Sequence, residues 1–315
     1  MGVGESEVPS ELATGFHWRP RGFGERRWIG GGPDASISFN MPFRGIAMVA
    51  IAEPLPSFSK SGDDRGFFLG GAIAMAVTIA AGFSFQLAMG RSSFGAPPLI
   101  HAHAVAFMGW VVIYLTQNVL VASGNVALHR RLGWLAAGWV VLMVVLGCAV
   151  TAFDIRVGRV PFFFRPVQFL VFDPLTLFAF AGLTYAAIAL RRRTDWHRRL
   201  HFSGMAMMVG PAFGRLLPMP LLAPWAWEAT FAACLVFPLV GVVSDLRRSG
   251  RVHPAWLCGL AVAFGVLVGT EVITYSSVGT ALYKAVAAGS KGAAVAPLHF
   301  GRPPGEPPGA KATPI

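Results

Sequence analysis

The sequence predicts an all-α protein, a polytopic transmembrane bundle of about seven spans that contains a duplicated two-helix hairpin. The first observation is composition: 54% of the 315 residues are hydrophobic and only 13% are charged, whereas soluble domains average about a quarter charged residues. The second is a series of seven apolar runs, each near the ~20 residues that a helix needs to cross a bilayer core. The third is an internal repeat.

The repeat has a period of 68 residues, and each copy consists of two apolar stretches, one on each side of an HRRL sequence. Its first copy begins at Pro98 and carries HRRL at residues 129–132, and its second copy begins at Pro166 and carries HRRL at residues 197–200. Spans two and three, and spans four and five, are therefore expected to form two hairpins of the same plan. In each hairpin the HRRL sequence is predicted to be the turn.

The fifth span is the weakest of the seven, because it contains Pro211 and Pro218 and carries Arg215. Such breaks persist in membranes where neighbouring helices satisfy the backbone groups that proline leaves unpaired. The predicted spans, in chain order, cover about residues 66–89, 99–122, 132–154, 168–190, 200–222, 224–244 and 255–278.

The flanking segments differ in composition from this transmembrane domain, which is expected over residues 66–280. Residues 1–65 are predicted to be a disordered cytoplasmic segment or, alternatively, the product of a misplaced start, with translation beginning at Met41 or Met48 instead of Met1. No apolar stretch directly follows a basic start, so no signal peptide is predicted. Residues 281–315 are predicted to be a short apolar piece followed by a disordered tail rich in proline and glycine.

The arginines predict the orientation. The turns after spans two, four and six hold ten arginines, and the turns on the opposite side hold four. Because Lys and Arg are retained on the cytoplasmic side, we expect a cytoplasmic N-terminus and a periplasmic C-terminus. The net charge of +11 does not indicate nucleic-acid binding, since the basic residues lie in short turns between spans. The lipid bilayer is the predicted partner.

Three histidines at the arginine-rich side are candidate ligands of a b-type haem. His129 lies at the start of span three, and His197 and His201 are four residues apart near the start of span five. The repeat makes His129 and His197 equivalent, and haem iron is commonly held by histidine. The alternative is that HRRL is only a basic helix start, with arginines at lipid headgroups and histidines in the interface.

Six ionisable residues are predicted to form a polar layer near the opposite side. Ionisable groups are costly inside a membrane and rarely face lipid, so these side chains are expected to line an outward-facing polar cavity or to form a buried ion-pair network. Asp173 and Arg215 lie at matched depth on consecutive spans and are the expected pair. A purely structural role and a ligand-binding role both remain open. The six candidates are His101, His103, Asp173, Arg215, Glu228 and Glu271.

Catalytic signatures are not found in the sequence. It contains no phosphate-binding loop, dinucleotide-binding glycine motif, nucleophile elbow or HExxH zinc motif. Cys148, Cys234 and Cys258 lie in separate apolar runs, without the spacing of a disulfide framework or zinc site. The sequence therefore favours a protein that is not an enzyme.

The HRRLG sequence at residues 129–133, WHRRL at 196–200 and RLLP at 215–218 resemble those of a group of uncharacterised bacterial inner-membrane proteins. These proteins share a histidine-rich second span, an HRxLG turn and a later HRRL turn, and the resemblance covers about residues 66–250. It implies a location in the bacterial inner membrane. More distantly, histidines at helix ends look like those of transmembrane cytochromes that hold two b haems, although His103 lacks a histidine partner on another span at its own side.

Three functions are consistent with these patterns. The first is binding or transport of a small molecule, or proton-coupled transport, through the polar layer. The second is redox chemistry at a b haem held by His129 with His197 or His201. The third is a membrane scaffold or assembly partner without chemistry of its own.

Overall fold

The computed structural model describes residues 64–92 and 94–301. The predictions for residues 1–63 and 302–315, including the alternative translation starts, lie outside the described residues. Within the described part of the chain the protein is helical and contains no β-strand. The expectation of an all-α fold is confirmed.

Six helices are long and apolar enough to cross a membrane. They are α1 (Arg65–Ala88), α2 (Pro98–Ala122), α3 (Val126–Val157), α4 (Pro166–Ala189), α8 (Ala226–Ser249) and α9 (Pro254–Thr274). Between α4 and α8 lie three short helices, α5 (Thr194–Met207), α6 (Gly210–Leu216) and α7 (Met219–Leu222). After α9 come α10 (Ser277–Ala287) and a 3₁₀ turn (Lys291–Ala294). The fold is that of a multi-pass helix bundle.

The predicted fifth span is a series of short helices, whereas the other six predicted spans are single helices. Pro211 lies at the start of α6, where a missing N–H costs little. Leu217 has an extended backbone with ψ of 150°, as expected for a residue that precedes a proline. The two prolines therefore mark the start and the end of the same short helix, α6.

The duplicated hairpin is present in the structure with its period intact. Helices α2 and α4 begin at Pro98 and Pro166, and α3 and α5 begin at Val126 and Thr194, so both pairs of starts are 68 residues apart. In each copy the two helices pack against each other. The copies diverge only later, where α3 continues unbroken and α5 ends at Met207.

The prediction that HRRL forms the turn of each hairpin is wrong. His129 and His197 lie three residues inside α3 and α5, so both HRRL sequences belong to the first helical turns. At α3 the side chain of Asn125 accepts a hydrogen bond from the backbone N–H of Leu128 at 3.2 Å, which caps the helix. In each hairpin the second apolar run begins only after the arginines, but the helix begins several residues earlier. Its backbone hydrogen bonds form regardless of the polarity of the side chains.

The ends of the bundle have different compositions. At one end α2, α4 and α8 finish and α3, α5 and α9 begin; we call it the arginine-rich end. The opposite end, where α1, α3 and α9 finish, is called the cavity end. Helix α4 packs against α3, α5 and α9, and α5 also packs against α1, α8 and α9, which places the second hairpin at the centre.

Helix α6 is held close to α1. A Cβ atom added at Gly82 of α1 would lie 2.7 Å from the backbone oxygen of Ala212, so the two backbones approach at a distance that only glycine permits. Small residues allow this kind of contact between membrane helices. The contact places Arg215 of α6 beside the ring of Phe83 of α1.

Residues 277–301 pack onto the cavity end. The hydroxyl of Tyr283 donates a hydrogen bond to the carbonyl of Gly292 at 3.0 Å, and the backbone N–H of Val167 donates to the carbonyl of Pro297 at 3.0 Å. Arg156 of α3 donates to the carbonyl of Val286 at 2.8 Å. These bonds tie the segment after α9 to α3 and α4.

Candidate functional site

A cavity of about 620 Å³ opens in the bundle between residues of α1, α2, α3, α4, α5, α6, α8 and α9. It extends from Ser92 and His101 at the cavity end to Ser203 and Gly259 in the interior. Ser203 is buried, so the cavity reaches well below the surface. Its volume falls in the range of small-molecule sites in proteins, roughly 300–1,000 Å³.

Aromatic side chains form much of the cavity wall. The rings of Phe172 and Trp227 stack with centroids 4.3 Å apart and planes within 10°. The ring of Trp110 meets Phe180 edge to face at 5.1 Å. Such rings present large rigid apolar faces. The aromatic residues that line the cavity are Phe83, Phe94, Phe107, Trp110, Phe163, Phe164, Phe169, Phe172, Trp227 and Phe231.

Asp173 and Arg215 both line this cavity, but the direct ion pair expected between them is not formed. Among the described residues, no ion pair joins their side chains. Asp173 instead accepts a hydrogen bond from the hydroxyl of Thr151 at 2.6 Å. Arg215 donates to the carbonyl of Pro211 at 2.7 Å and lies 4.1 Å from the ring centroid of Phe83.

The two outer histidines occupy different positions along the cavity. His103 stacks on Phe107 with ring centroids 4.1 Å apart, and its Nδ1 atom is buried with no hydrogen-bond partner among the described residues. His101 is exposed near the entrance, where its Nε2 lies 3.1 Å from the carbonyl oxygen of Phe94. His103 therefore has a buried polar atom without a partner, whereas His101 is exposed.

Unpartnered polar atoms are concentrated around the cavity. Buried polar groups in folded proteins are almost always hydrogen-bonded, yet half of the fourteen buried side-chain atoms that lack a partner in the described part of the chain belong to cavity residues. The seven atoms are Gln86 Oε1, His103 Nδ1, Trp110 Nε1, Thr176 Oγ1, Ser203 Oγ, Arg215 Nε and Trp227 Nε1.

Glu228 and Glu271 lie outside the cavity lining and near each other. The amide of Gln168 donates a hydrogen bond to Oε1 of Glu271 at 2.9 Å. Glu228 is half-buried, and the charge of Glu271 acts on it. The predicted polar layer is thus divided into a cavity group of His101, His103, Asp173 and Arg215 and a separate pair of glutamates.

The three inner histidines lie together at the arginine-rich end. The rings of His129 and His197 are 6.1 Å apart and perpendicular, and those of His197 and His201 are 4.8 Å apart. Nδ1 of His197 lies 2.8 Å from the carbonyl oxygen of Ala187; since a carbonyl only accepts, Nδ1 carries the proton and Nε2 has an available lone pair. Across residues 64–92 and 94–301, no group of three or more His, Cys, Asp or Glu side chains is arranged to hold a metal ion.

An ion-pair network at the arginine-rich end was missed by the sequence analysis. Arg199 donates to Asp245 through Nε at 2.9 Å and through Nη2 at 2.7 Å. The two side chains are only 8% and 12% exposed. Asp245 also accepts from the indole N–H of Trp256 at 3.0 Å and from the backbone N–H of His253 at 3.3 Å. This carboxylate joins α5, α8 and α9.

His253 extends the network in its neutral form. Its Nδ1 accepts a hydrogen bond from the backbone N–H of Ala255 at 3.1 Å, so Nε2 carries the proton that is donated to Asp195 at 2.8 Å. Burial lowers the pKa of His253, consistent with a neutral ring. Arg198 forms a further ion pair with Asp64, the residue before α1.

The second HRRL sequence is therefore not a simple membrane-interface anchor. Arg199 is buried in an ion pair, whereas Arg131, its equivalent 68 residues earlier, is exposed. In the sequence, this ion-pair network was indicated by Asp195 and Asp245, which lie close to arginines near the ends of predicted spans. An acidic residue in such a position has cations nearby with which it can pair.

The fold and these interior clusters define the class of protein: a multi-pass helical membrane protein with a polar, aromatic-lined cavity at one end. Comparison with protein-family models, with curated proteins and with solved structures finds no match to the chain.

Proposed function

We propose that this protein binds a small organic acid with an apolar, ring-sized body in the cavity between its helices. The carrying observation is the concentration of seven unpartnered polar atoms around one aromatic-lined cavity. Small-molecule sites combine mostly apolar walls with a few placed polar groups. These atoms are enclosed by neighbouring side chains, so rotation of their side chains towards a bound molecule would give them the missing hydrogen-bond partners and remove the cost of leaving them unpaired.

The charge distribution favours an acidic group on the ligand. Arg215 is held over Phe83 and uses Nη1 for the carbonyl of Pro211, while its Nε has no partner among the described residues. Asp173 is already bonded to Thr151. Arginine recognises carboxylates with good geometry, so Arg215 is the proposed contact for the acid, with His103 beside it.

Binding can be measured by isothermal titration calorimetry with the protein in lipid nanodiscs and 1-naphthoate as the probe. We expect saturable heat that empty nanodiscs do not give. Replacement of Arg215 by Gln should weaken binding about tenfold or more, because a hydrogen bond to a charged group contributes about 1.5–3 kcal/mol.

Arg156→Gln is the matched control. Arg156 lies on α3 at the same end of the bundle but binds the carbonyls of Val286 and Ala288 outside the cavity, so this variant should bind like the wild type. Equal affinity of the wild type and Arg215→Gln would contradict the assigned contact. Absence of saturable heat with both 1-naphthoate and neutral 1-naphthalenemethanol would contradict the proposed function.

A second candidate function is haem binding at the arginine-rich end, favoured by the grouping of three histidines. Axial histidines usually donate one ring N–H to a carbonyl, which leaves the other nitrogen for the metal. His197 shows this arrangement with Ala187. His129 and His197 would hold the iron, and a haem there would supply one-electron chemistry.

The absorption spectrum of protein purified from haem-replete cells tests this second candidate. A Soret band is expected, and His129→Ala and His197→Ala should each abolish it because each removes an axial ligand. His101→Ala serves as the control, since this exposed histidine lies at the opposite end. A colourless wild-type preparation would eliminate the haem hypothesis and leave the cavity proposal untouched.

A further inference from the structure

A second cavity, of about 580 Å³, lies at the cavity end of the bundle. It is formed where the last turn of α3 meets the 3₁₀ turn that follows α10. Three of its six lining residues carry a positive charge and none carries a negative charge, so its lining attracts anions. We call it the basic pocket, and its residues are Phe153, Arg156, Val157, Arg159, Ser290 and Lys291.

The two sides of the basic pocket are fixed against each other by backbone contacts. Arg156 donates through Nη1 to the carbonyl of Val286 at 2.8 Å and to that of Ala288 at 3.3 Å. A Cβ atom added at Gly292 would collide with the carbonyl oxygen of Ile155, so the 3₁₀ turn lies directly on the backbone of α3. The segment that carries Lys291 is therefore held beside the end of this helix.

The positive charges of the basic pocket are not neutralised by the protein. Among the described residues, no ion pair joins Arg156, Arg159 or Lys291 to a carboxylate. Asp154 of α3 is acted on by the charge of Arg159, but it lines the aromatic-lined cavity and not the basic pocket. All three cations are exposed. Since like charges held close together repel, a bound anion would stabilise this arrangement.

The length of α3 places the basic pocket at the level of the lipid headgroups. The helix contains 32 residues, which span about 48 Å at 1.5 Å per residue. The hydrocarbon core of a bilayer is only about 30 Å thick. The last turns of α3 therefore extend out of the hydrocarbon into the layer that contains the lipid phosphates.

An exposed apolar face of α3 leads to the basic pocket. Val141, Leu142 and Val145 are 64%, 43% and 60% exposed, and in a membrane span such side chains contact lipid. Phe153 and Arg156 follow Leu142 and Val145 by eleven residues, close to three full turns, so they lie on the same face. The rise over eleven residues is about 16 Å, which is close to half the thickness of the hydrocarbon core. This face thus matches the length of acyl chains in one leaflet.

We propose that the basic pocket binds the phosphate of an anionic phospholipid whose acyl chains lie along this face of α3. Arg159 and Lys291 donate hydrogen bonds to the phosphate oxygens. Arg156 holds the segment after α10 through Nη1 and adds a third positive charge. Phe153 and Val157 contact the upper part of the acyl chains. Basic pockets between membrane helices are known sites for anionic lipid headgroups.

Photo-crosslinking at the end of α3 tests this proposal. The probe is phosphatidylglycerol with a diazirine at the carbonyl end of one acyl chain, added in trace amounts to the protein in detergent micelles. Mass spectrometry of peptide fragments then measures the labelling of Phe153 and its neighbours. We expect unlabelled phosphatidylglycerol to displace the probe at a lower mole fraction than phosphatidylcholine does. Inorganic phosphate at the same concentration should leave the probe in place.

Lys291→Gln should lower the labelling of this site about fivefold. A basic residue near an anionic lipid surface contributes about 1 kcal/mol, which corresponds to a fivefold change in affinity, and labelling by a trace probe is proportional to affinity. Lys291→Arg should retain most of the labelling because it keeps the charge. Lys284→Gln is the matched control: Lys284 is exposed on α10 but does not line the basic pocket, so its variant should be labelled like the wild type.

Three results would overturn the proposal. Equal labelling of the wild type and Lys291→Gln would remove the assigned contact. Equal displacement by the two phospholipids would show that the site does not recognise the lipid's charge, and displacement by inorganic phosphate would show that it takes a free anion. Arg159 lines both cavities, whereas Lys291 lines only the basic pocket, so none of these results bears on naphthoate binding and the two proposals fail separately.

Discussion

Asp245→Asn is expected to lower the free energy of unfolding by about 3–5 kcal/mol, since loss of one partner leaves a buried charge uncompensated. Arg199 is bonded to this carboxylate through two nitrogens and is almost fully enclosed. The same carboxylate accepts from Trp256 of α9, so its neutralisation also weakens a tie between helices. Equilibrium unfolding in mixed lipid–detergent micelles measures the loss.

The repeat supplies the control for this experiment. Arg131 occupies the position of Arg199 in the first HRRL sequence but is exposed, so Arg131→Gln should change the unfolding free energy by less than about 0.5 kcal/mol. The double variant Arg199→Met with Asp245→Leu should recover part of the loss, because no lone charge remains. Similar small effects of Asp245→Asn and Arg131→Gln would show that the ion pair does not stabilise the bundle.

Trp256→Ala is expected to cost about 3–5 kcal/mol, the range for truncating a large core aromatic. Trp256 is fully buried and packs between Phe68 of α1 and Phe202 of α5. A Cβ atom at Gly241 of α8 would lie 2.3 Å from its ring, so the indole fills the space where these helices meet. Removing it leaves a cavity that rigid helices cannot close.

Trp256→Phe separates packing from hydrogen bonding. It keeps an aromatic ring but removes the N–H that binds Asp245, and the expected loss is about 1.5–3 kcal/mol for a bond to a charged group. Trp134→Ala is the control: that indole is 67% exposed and should contribute less than about 1 kcal/mol through its contact with Arg191. The packing argument fails if Trp256→Ala and Trp134→Ala unfold alike.

The helical architecture followed from the sequence because it depends on local properties. An apolar run of sufficient length is a membrane span wherever it lies, and the period of 68 residues placed the starts of both hairpins correctly. Pro211 and Pro218 identified the fifth span as the weakest, because each proline interrupts the backbone hydrogen bonds of the helix in which it lies. The grouping of the inner histidines was also accessible, because His197 and His201 share a helix face and His129 is the repeat equivalent of His197.

Only the tertiary structure determines which faces of the helices pack against each other. Depth along a span is readable from sequence, but rotation of a helix about its axis and the choice of its neighbour are not. Asp173 and Arg215 have matched depth, yet one binds Thr151 and the other lies over Phe83. Arg199 and Asp245 are 46 residues apart, and the repeated HRRL sequence does not by itself separate the buried Arg199 from the exposed Arg131. Only the packing of α5 against α8 and α9 brings that arginine to its carboxylate.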